Sequence, residues 1–230
     1  MKTIVIGDIH GRGTWMKILK QEYDKVIFLG DYLDTHEKIS KAQQLYNFKE
    51  ILNLDSKRHI RLIGNHDYHY LDLGERYSGY QPSLQWDVQD ILKDAIKYGL
   101  LQLAYEEDNN LFIHAGLSQT WIEYAKTRHF WVFAQTIVEN LNEALKYAPE
   151  VFKFRAGKIH DPYGNEPEQG PLWIRPEALD KSFCSYYRQQ FVGHTVQDNI
   201  SFDGSIWLCD ALMHGQYIII ENGDVRVEKL

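Results

Sequence analysis

Cysteine is scarce. The chain has two, Cys184 and Cys209, too few for a disulfide scaffold and too far apart for a Cys-x-x-Cys metal site, so both read as reduced, structural residues. No apolar run is long enough to span a bilayer, and Met1 to Ile6 is a short strand-like run rather than a secretory signal, so a cytoplasmic protein without membrane association is expected. Positive charge is in deficit: 25 Lys and Arg against 32 Asp and Glu leave a formal net charge of -7. That balance gives no general attraction to nucleic acid or anionic membranes. A phosphate-bearing partner must be drawn locally, and bound divalent cations can supply such a field against the sign of the whole chain. Low-complexity segments and fixed-period repeats are absent as well. What is there, 230 residues with 44% hydrophobic and 25% charged content, suits one folded domain with a substantial core.

The first third alternates β-branched runs with helical patterns: Thr3 to Ile6, Trp15 to Glu22, Lys25 to Leu29, Lys38 to Leu54 and His59 to Ile63. This βαβαβ order predicts an α/β fold. Each strand runs into a turn holding Gly and a potential ligand: Gly7-Asp8-Ile9-His10-Gly11, Gly30-Asp31 and Gly64-Asn65-His66-Asp67. Ligands in open α/β sheets bind beyond the carboxyl ends of the strands, so the three turns are expected to share one crevice. The middle predicts helices over Leu84 to Tyr98 and within Ser118 to Tyr147. Between them a hairpin of Leu101 to Tyr105 and Leu111 to Ile113 flanks the turn Glu106 to Asn110 and leads into His114-Ala115-Gly116. Residues Ala156 to Gly170, rich in Gly, Pro and polar types, read as a loop over the crevice. The last third returns to strands at Gln190 to Val192, Ser205 to Cys209, Gln216 to Glu221 and Val225 to Glu228, with Asn222-Gly223 as a hairpin turn.

Two ions bridged by a carboxylate and completed by His, Asn and Asp can hydrolyse phosphate esters, and that donor set is present. Asp8 and His10 are one residue apart, so at an extended strand end their side chains share a face. Asp31 is reached from the neighbouring strand and is the natural bridging carboxylate. Asn65 offers a neutral carbonyl oxygen, and His114 and His194 offer imidazoles.

The ordered series GDIHG (7–11), GDYLD (30–34), GNHD (64–67), HAGLS (114–118) and GHT (193–195) resembles that of the calcineurin-like metallophosphoesterases. Within them it is most similar to the phosphoprotein-phosphatase branch, which includes bacterial and phage serine/threonine phosphatases and symmetrical dinucleoside-tetraphosphate hydrolases. The resemblance implies a two-sheet β-sandwich flanked by helices, with metals at the carboxyl ends of strands. Residues 1–230 would be a single domain, with a helical and loop insertion over about 118–176 covering the site. It further implies that Asp8, His10 and Asp31 hold one divalent ion and Asp31, Asn65, His114 and His194 a second, manganese foremost, with iron or zinc as alternatives. His66 would be the general acid and Asp34 its orienting carboxylate. Related phosphatases carry Arg-Gly after the second Asp of GDxxD, where the Arg grips phosphate; this chain has Thr35-His36. Arg175, in Leu172-Trp173-Ile174-Arg175, is the expected replacement, with Arg12 second. Val196 stands where many relatives carry the second His of GHxH, which again points to the phosphatase branch.

The expected activity is hydrolysis of a phosphomonoester on a phosphoprotein, a small molecule or a nucleotide. A nucleotide phosphodiesterase or dinucleoside-polyphosphate hydrolase is the alternative, and a degenerate, non-catalytic scaffold is the alternative of another class. Plainer roles remain for other residues. Asp34 and Asp67 suit capping, and Glu106 to Asp108 a solvated turn. His36, His69, His129, His160 and His214 are expected at the surface or in packing, and Trp121, Phe130, Trp131 and Phe133 in the core or a lid.

Overall fold

The β-branched runs extend and pair as their composition predicts. In a computed structural model, residues 1–35, 37–132, 135–155 and 161–230 are described; His36, Phe133, Ala134 and 156–160, with His160, lie outside them. The strands are β1 (Lys2–Ile6), β2 (Lys25–Phe28), β3 (His59–Arg61), β4 (Ala104–Glu107), β5 (Asn110–Ile113), β6 (Gln189–Val192), β7 (Ser201–Phe202), β8 (Ile206–Leu208), β9 (Gln216–Glu221) and β10 (Asp224–Lys229). They form two five-stranded sheets, ordered β10-β9-β1-β2-β3 and β4-β5-β6-β8-β7. Within them β1, β2 and β3 run parallel, and so do β5, β6 and β8. Each sheet therefore sends three strand ends in one direction, which is what assembles a site from distant sequence.

Period-two alternation divides the core. Val5, Ile27 and Ile218 of the first sheet cluster with Phe112 and Phe191 of the second, while Ile4, Ile6, Val26 and Phe28 point the other way into the larger core with the helices. Phe191 stacks between Phe112, 4.8 Å away, and Trp207, 6.0 Å away. The outer layers are helical: α1 (Trp15–Ile18), α2 (Lys41–Asn53), α3 (Asn65–Tyr68), α4 (Gln85–Lys97), α5 (Gln119–Ala125), α6 (Ile137–Tyr147) and α7 (Pro176–Lys181). This is the two-sheet, helix-flanked architecture that the motifs imply.

Several bounds differ from expectation. The segment from Trp15 is helical only to Ile18, because Lys20-Gln21-Glu22 offers no apolar residue to continue the buried face made by Trp15 and Ile18. Ser118 to Tyr147 holds two helices: Ser118 caps α5 through Trp121 N, and Thr136 with Glu139 forms a capping box that starts α6. The hairpin turn narrows to Asp108-Asn109, both at positive φ, so Glu106 and Glu107 belong to β4. They are not a solvated turn: Glu107 pairs with Lys25 of β2 and Glu106 accepts from Tyr187 Oη at 2.9 Å. Both cysteines are free and buried. Trp121 is buried against Phe152, and among the described residues no helix is long and apolar enough to cross a membrane.

Candidate metal centre

Asp8 lies two residues beyond β1, Asp31 three beyond β2, Asn65 opens α3 after β3, His114 follows β5 directly, and His194 lies two beyond β6. The first three come from one sheet and the two histidines from the other. His10, Asp31, Asp34 and His194 all adopt left-handed backbone conformations, with φ of 45°, 50°, 54° and 63°. Such conformations are uncommon for non-glycine residues and gather at functional sites. Gly193 allows the two sheets to close here, since a Cβ at that position would stand 1.9 Å from Asp8 Oδ1. The Asp8 carboxylate instead accepts the His194 N–H, at 3.1 and 3.0 Å.

The imidazoles present lone pairs inward. His114 Nδ1 donates to the Leu29 carbonyl at 2.9 Å and His194 Nε2 to the Trp173 carbonyl at 3.2 Å. Burial lowers the pKa of both rings, so the neutral form is favoured and the opposite nitrogens carry lone pairs. Those nitrogens, His114 Nε2 and His194 Nδ1, both lie 2.8 Å from Asn65 Oδ1, and Asp31 Oδ2 is 3.4 Å from His114 Nε2. Acceptors thus face acceptors, a donor set suited to a cation. His10 repeats the pattern: Nδ1 is tied to the Leu33 carbonyl at 3.1 Å, while Nε2 faces Asp31 Oδ2 at 3.8 Å and Asp8 Oδ2 at 4.0 Å. One donor atom each from Asp8, Asp31 and His114 lies within 4.8 Å of the others. Burial, then Asp210, then Asp31 push the Asp8 carboxyl well up. Asp31 goes the other way, because His114, His66 and His10 outweigh its burial.

His66 lies beside this cluster, its Nδ1 3.3 Å from Asp34 Oδ2. Burial opposes its protonation, yet Asp31 and Asp34 together push its pKa up to about 9. Asp34 is a hub: Tyr70 Oη and Gln81 Nε2 donate to Oδ1 at 2.6 and 3.0 Å, and His69 Nε2 lies 2.7 Å from Oδ2. His69 is buried and packed against Tyr70, Tyr77 and Tyr80, as its reading as a packing residue expects, and it also stands beside Asp34. Asp67 is a brace: its carboxylate accepts from Tyr32 N, Leu33 N and Gly64 N at 2.9, 3.3 and 3.0 Å, joining the loops after β2 and β3.

A cavity of about 480 Å³ opens over Asn65, His66 and His194. Arg175 lines it, with Nη1 donating to the His194 carbonyl at 3.2 Å and Thr195 Oγ1 at 3.1 Å. Tyr77, Phe154 and Trp173 form an aromatic wall, and Pro162 and Tyr163 are the part of the expected overhanging loop described there. Arg12 is held differently, paired through Nε with Glu37 at 2.5 Å and donating from Nη1 to the Asp8 carbonyl at 3.2 Å. Thr35 accepts the Glu37 N–H at 3.0 Å. A larger hollow of about 640 Å³, lined by Leu71, Ile96 and Leu145 among others, contains none of these groups. One residue was missed outright: Asp210, buried beside Asp8, whose pKa burial and Asp31 push up to about 6.

Comparison with known proteins places this geometry. A family model described as calcineurin-like phosphoesterase matches residues 1–198. A symmetrical bis(5'-nucleosyl)-tetraphosphatase from Janthinobacterium sp. (strain Marseille) is 27% identical over 186 residues; the match covers 75% of this chain and 59% of that protein, so the chain spans about three-fifths of the relative's length. The cold-active protein-tyrosine phosphatase of a psychrophilic Shewanella species superposes with a TM-score of 0.61 at 16% identity, covering 100% of this chain and 80% of that one. A protein serine/threonine phosphatase from Saccharomyces cerevisiae gives 0.55 at 16%, covering 100% and 79%. At these identities the solved structures establish a shared fold.

Proposed function

The chain belongs to the calcineurin-like phosphoesterase family of hydrolases, and from that premise we propose that it is a phosphomonoesterase with a binuclear metal centre. Asp8, His10 and Asp31 would hold one divalent ion, and Asp31, Asn65, His114 and His194 the other. The observation that carries this reading is Asn65 Oδ1 at 2.8 Å from two imidazole nitrogens whose ring partners are already committed to backbone carbonyls. When bound, such a pair of ions supplies Lewis-acid stabilisation and a nucleophile near neutral pH. Mixed oxygen and imidazole donors suit manganese, with iron or zinc as alternatives.

The remaining work falls to the chain's own side chains. His66 holds a proton on Nε2 while Nδ1 meets Asp34, and it gives that proton to the departing ester oxygen, which is otherwise a poor leaving group. Asp34 fixes the ring and favours its charged form. Arg175 offers a planar guanidinium to the phosphate oxygens across the cavity. Trp173, Phe154 and Tyr77 exclude water from one side of the phosphate and pack the leaving group. The chain would act as one catalytic domain, the segment 118–176 supplying Phe154 and Trp173 of this wall.

A second reading, a dinucleoside-polyphosphate hydrolase, is favoured by the tetraphosphatase relative and by the aromatic wall, against which a nucleobase could stack. Turnover of p-nitrophenyl phosphate, bis-p-nitrophenyl phosphate and diadenosine tetraphosphate should be compared with Mn²⁺ present. Highest kcat/KM on the monoester supports the proposal; highest on the tetraphosphate transfers it to the second reading. No turnover of any of the three with any divalent metal would sink both.

A further inference from the structure

Three carboxylates are buried where the ends of β1, β2 and β8 meet: Asp8 and Asp31 at 1% exposure and Asp210 at 3%. Asp210 lies two residues beyond β8, as His194 lies two beyond the adjacent parallel strand β6. It therefore occupies the same kind of strand-end position as the other inward-facing donors. A Cβ on Gly7 would stand 2.2 Å from the Cys209 carbonyl oxygen and 3.1 Å from Asp210 Cα, so only glycine lets the end of β1 meet this segment. From the other side, Cys209 N donates to the Val192 carbonyl at 2.7 Å and Gln197 N to the Asp210 carbonyl at 2.8 Å. The result is a buried Asp210 held against the end of β1 at Gly7, one residue before Asp8.

Carboxylate oxygens buried together in this way need hydrogen-bond donors or a cation to satisfy them. Asp210 Oδ2 is buried and has no hydrogen-bond partner among the described residues, a costly state for a carboxyl oxygen that nothing else occupies. Arg12 is close enough to be felt by Asp8 and Asp210, but its Nε is committed to Glu37 and its Nη1 to the Asp8 carbonyl. The fold thus concentrates acidic oxygen on the Asp8 side of the centre and leaves one oxygen free. Resting on the metal-centre reading above, we infer that Asp210 is a further protein ligand of the ion held by Asp8, His10 and Asp31. A third carboxylate makes that position harder and more anionic than the one formed by Asn65, His114 and His194, and suits it to Mn²⁺ or Mg²⁺.

The test is calorimetric titration of the chelator-stripped 230-residue chain with Mn²⁺, with thermal melts of the stripped proteins alongside. Wild type should bind two ions per chain. Asp210→Asn should weaken one of the two events by about tenfold or more and leave the other unchanged. Stripped Asp210→Asn should melt within a few degrees of stripped wild type, which shows that the variant is folded. Asp210→Ser, smaller and also neutral, should show the same loss of one event. Two Mn²⁺ bound with wild-type affinity in either folded variant overturns the inference, and so does failure of both variants to fold, which would assign Asp210 to the scaffold. Wild type that binds no Mn²⁺ is a different result: it removes the metal-centre reading itself.

Discussion

His69 Nε2 lies 2.7 Å from Asp34 Oδ2, the same oxygen that meets His66 Nδ1 at 3.3 Å. Asp34 therefore stands between a mostly buried ring, His66, and a fully buried one, and its second oxygen is fixed by Tyr70 and Gln81. A carboxylate so tethered can turn His66 in only one direction. His66→Asn should lower kcat by about 10²- to 10⁴-fold, the usual contribution of a general acid. His69→Phe should lower kcat by about tenfold with KM nearly unchanged, because it loosens Asp34 without touching substrate, and His69→Gln should recover part of the loss. Steady-state kinetics on p-nitrophenyl phosphate separates the cases; a His69→Phe enzyme with full kcat would show that Asp34 needs no such support.

Arg175 is positioned by the His194 carbonyl and Thr195 Oγ1, both on the loop that also carries an inward-facing imidazole. Its grip on phosphate and the geometry of that loop are linked. Arg175→Ala should raise KM and the inhibition constant for inorganic phosphate by about 10- to 100-fold, the range for a charge-assisted hydrogen bond. Arg175→Lys should recover little, since an ammonium cannot serve two loop acceptors and a phosphate with the same planar fork. Arg12, committed to Glu37 and the Asp8 carbonyl, should be the less sensitive of the two arginines when phosphate inhibition of Arg12→Ala is measured.

Removal of metal should cost stability as well as activity. Asp8, Asp31 and Asp210 are buried together, and ions that bind only the folded chain stabilise it by mass action. At a free Mn²⁺ concentration about 100 times the dissociation constant, the gain is about 2.7 kcal/mol per site. For a chain of this size that is a rise in Tm on the order of 5–10 °C per site. A melting series from chelator to millimolar Mn²⁺ reads it directly, and a Tm independent of Mn²⁺ contradicts a folded-state metal centre.

Much of this arrangement was legible in the sequence because its signals are local. Val26-Ile27-Phe28-Leu29-Gly30-Asp31 states a buried strand, a turn and a ligand in six residues, and the structure places Asp31 at that strand end. The same reading located Asp8, Asn65, His114 and His194 at their strand ends. Asp210 carries the same grammar, following Ile206-Trp207-Leu208-Cys209, but lies beyond the motif series, and no glycine precedes it to mark the turn. His69 escaped for another reason. Its approach to Asp34 depends on the loop after β2, which Gln81 also ties through Asp34, contacts set by tertiary structure rather than by spacing. The short α1 shows the same limit, since periodicity cannot say where a buried face runs out.

The interface between the sheets should be sensitive at Phe191, which is fully buried and stacked on both sides, by Phe112 at 4.8 Å and Trp207 at 6.0 Å. Phe191→Ala leaves a cavity that neither ring can fill, because both are anchored in paired strands. The expected loss is about 3–5 kcal/mol, or a fall in Tm on the order of 10 °C. Phe191→Leu should cost less than half of that. Denaturant melts of the metal-loaded proteins supply the comparison, and equal losses for the two variants would mean that the ring stack contributes nothing specific.

His59, far from the site residues in the fold's logic, gives the chain a pH-dependent stability of calculable sign. It is 5% exposed, with Nδ1 donating to the Asp55 carbonyl at 2.8 Å and Nε2 accepting from Tyr23 Oη at 3.1 Å. Burial lowers its pKa below 6.5, Arg61 and Arg58 lower it further, and Asp55 only partly offsets them. The folded state therefore favours neutral His59. Above pH 6.5 neither the folded nor the unfolded chain protonates it, and the full stability is present. As pH falls from 6.5 toward the depressed folded value, the unfolded chain takes up the proton first, and stability is lost at up to about 1.4 kcal/mol per pH unit. Once both states are protonated the loss is complete. His59→Gln keeps a polar side chain of similar reach but cannot titrate, so its stability should fall less than that of wild type between pH 7.5 and 5.5. The other buried imidazoles are common to both proteins, so the difference between their two pH profiles isolates this ring. Parallel profiles across that interval would show that Tyr23 and Asp55 hold the protonated ring as well as the neutral one.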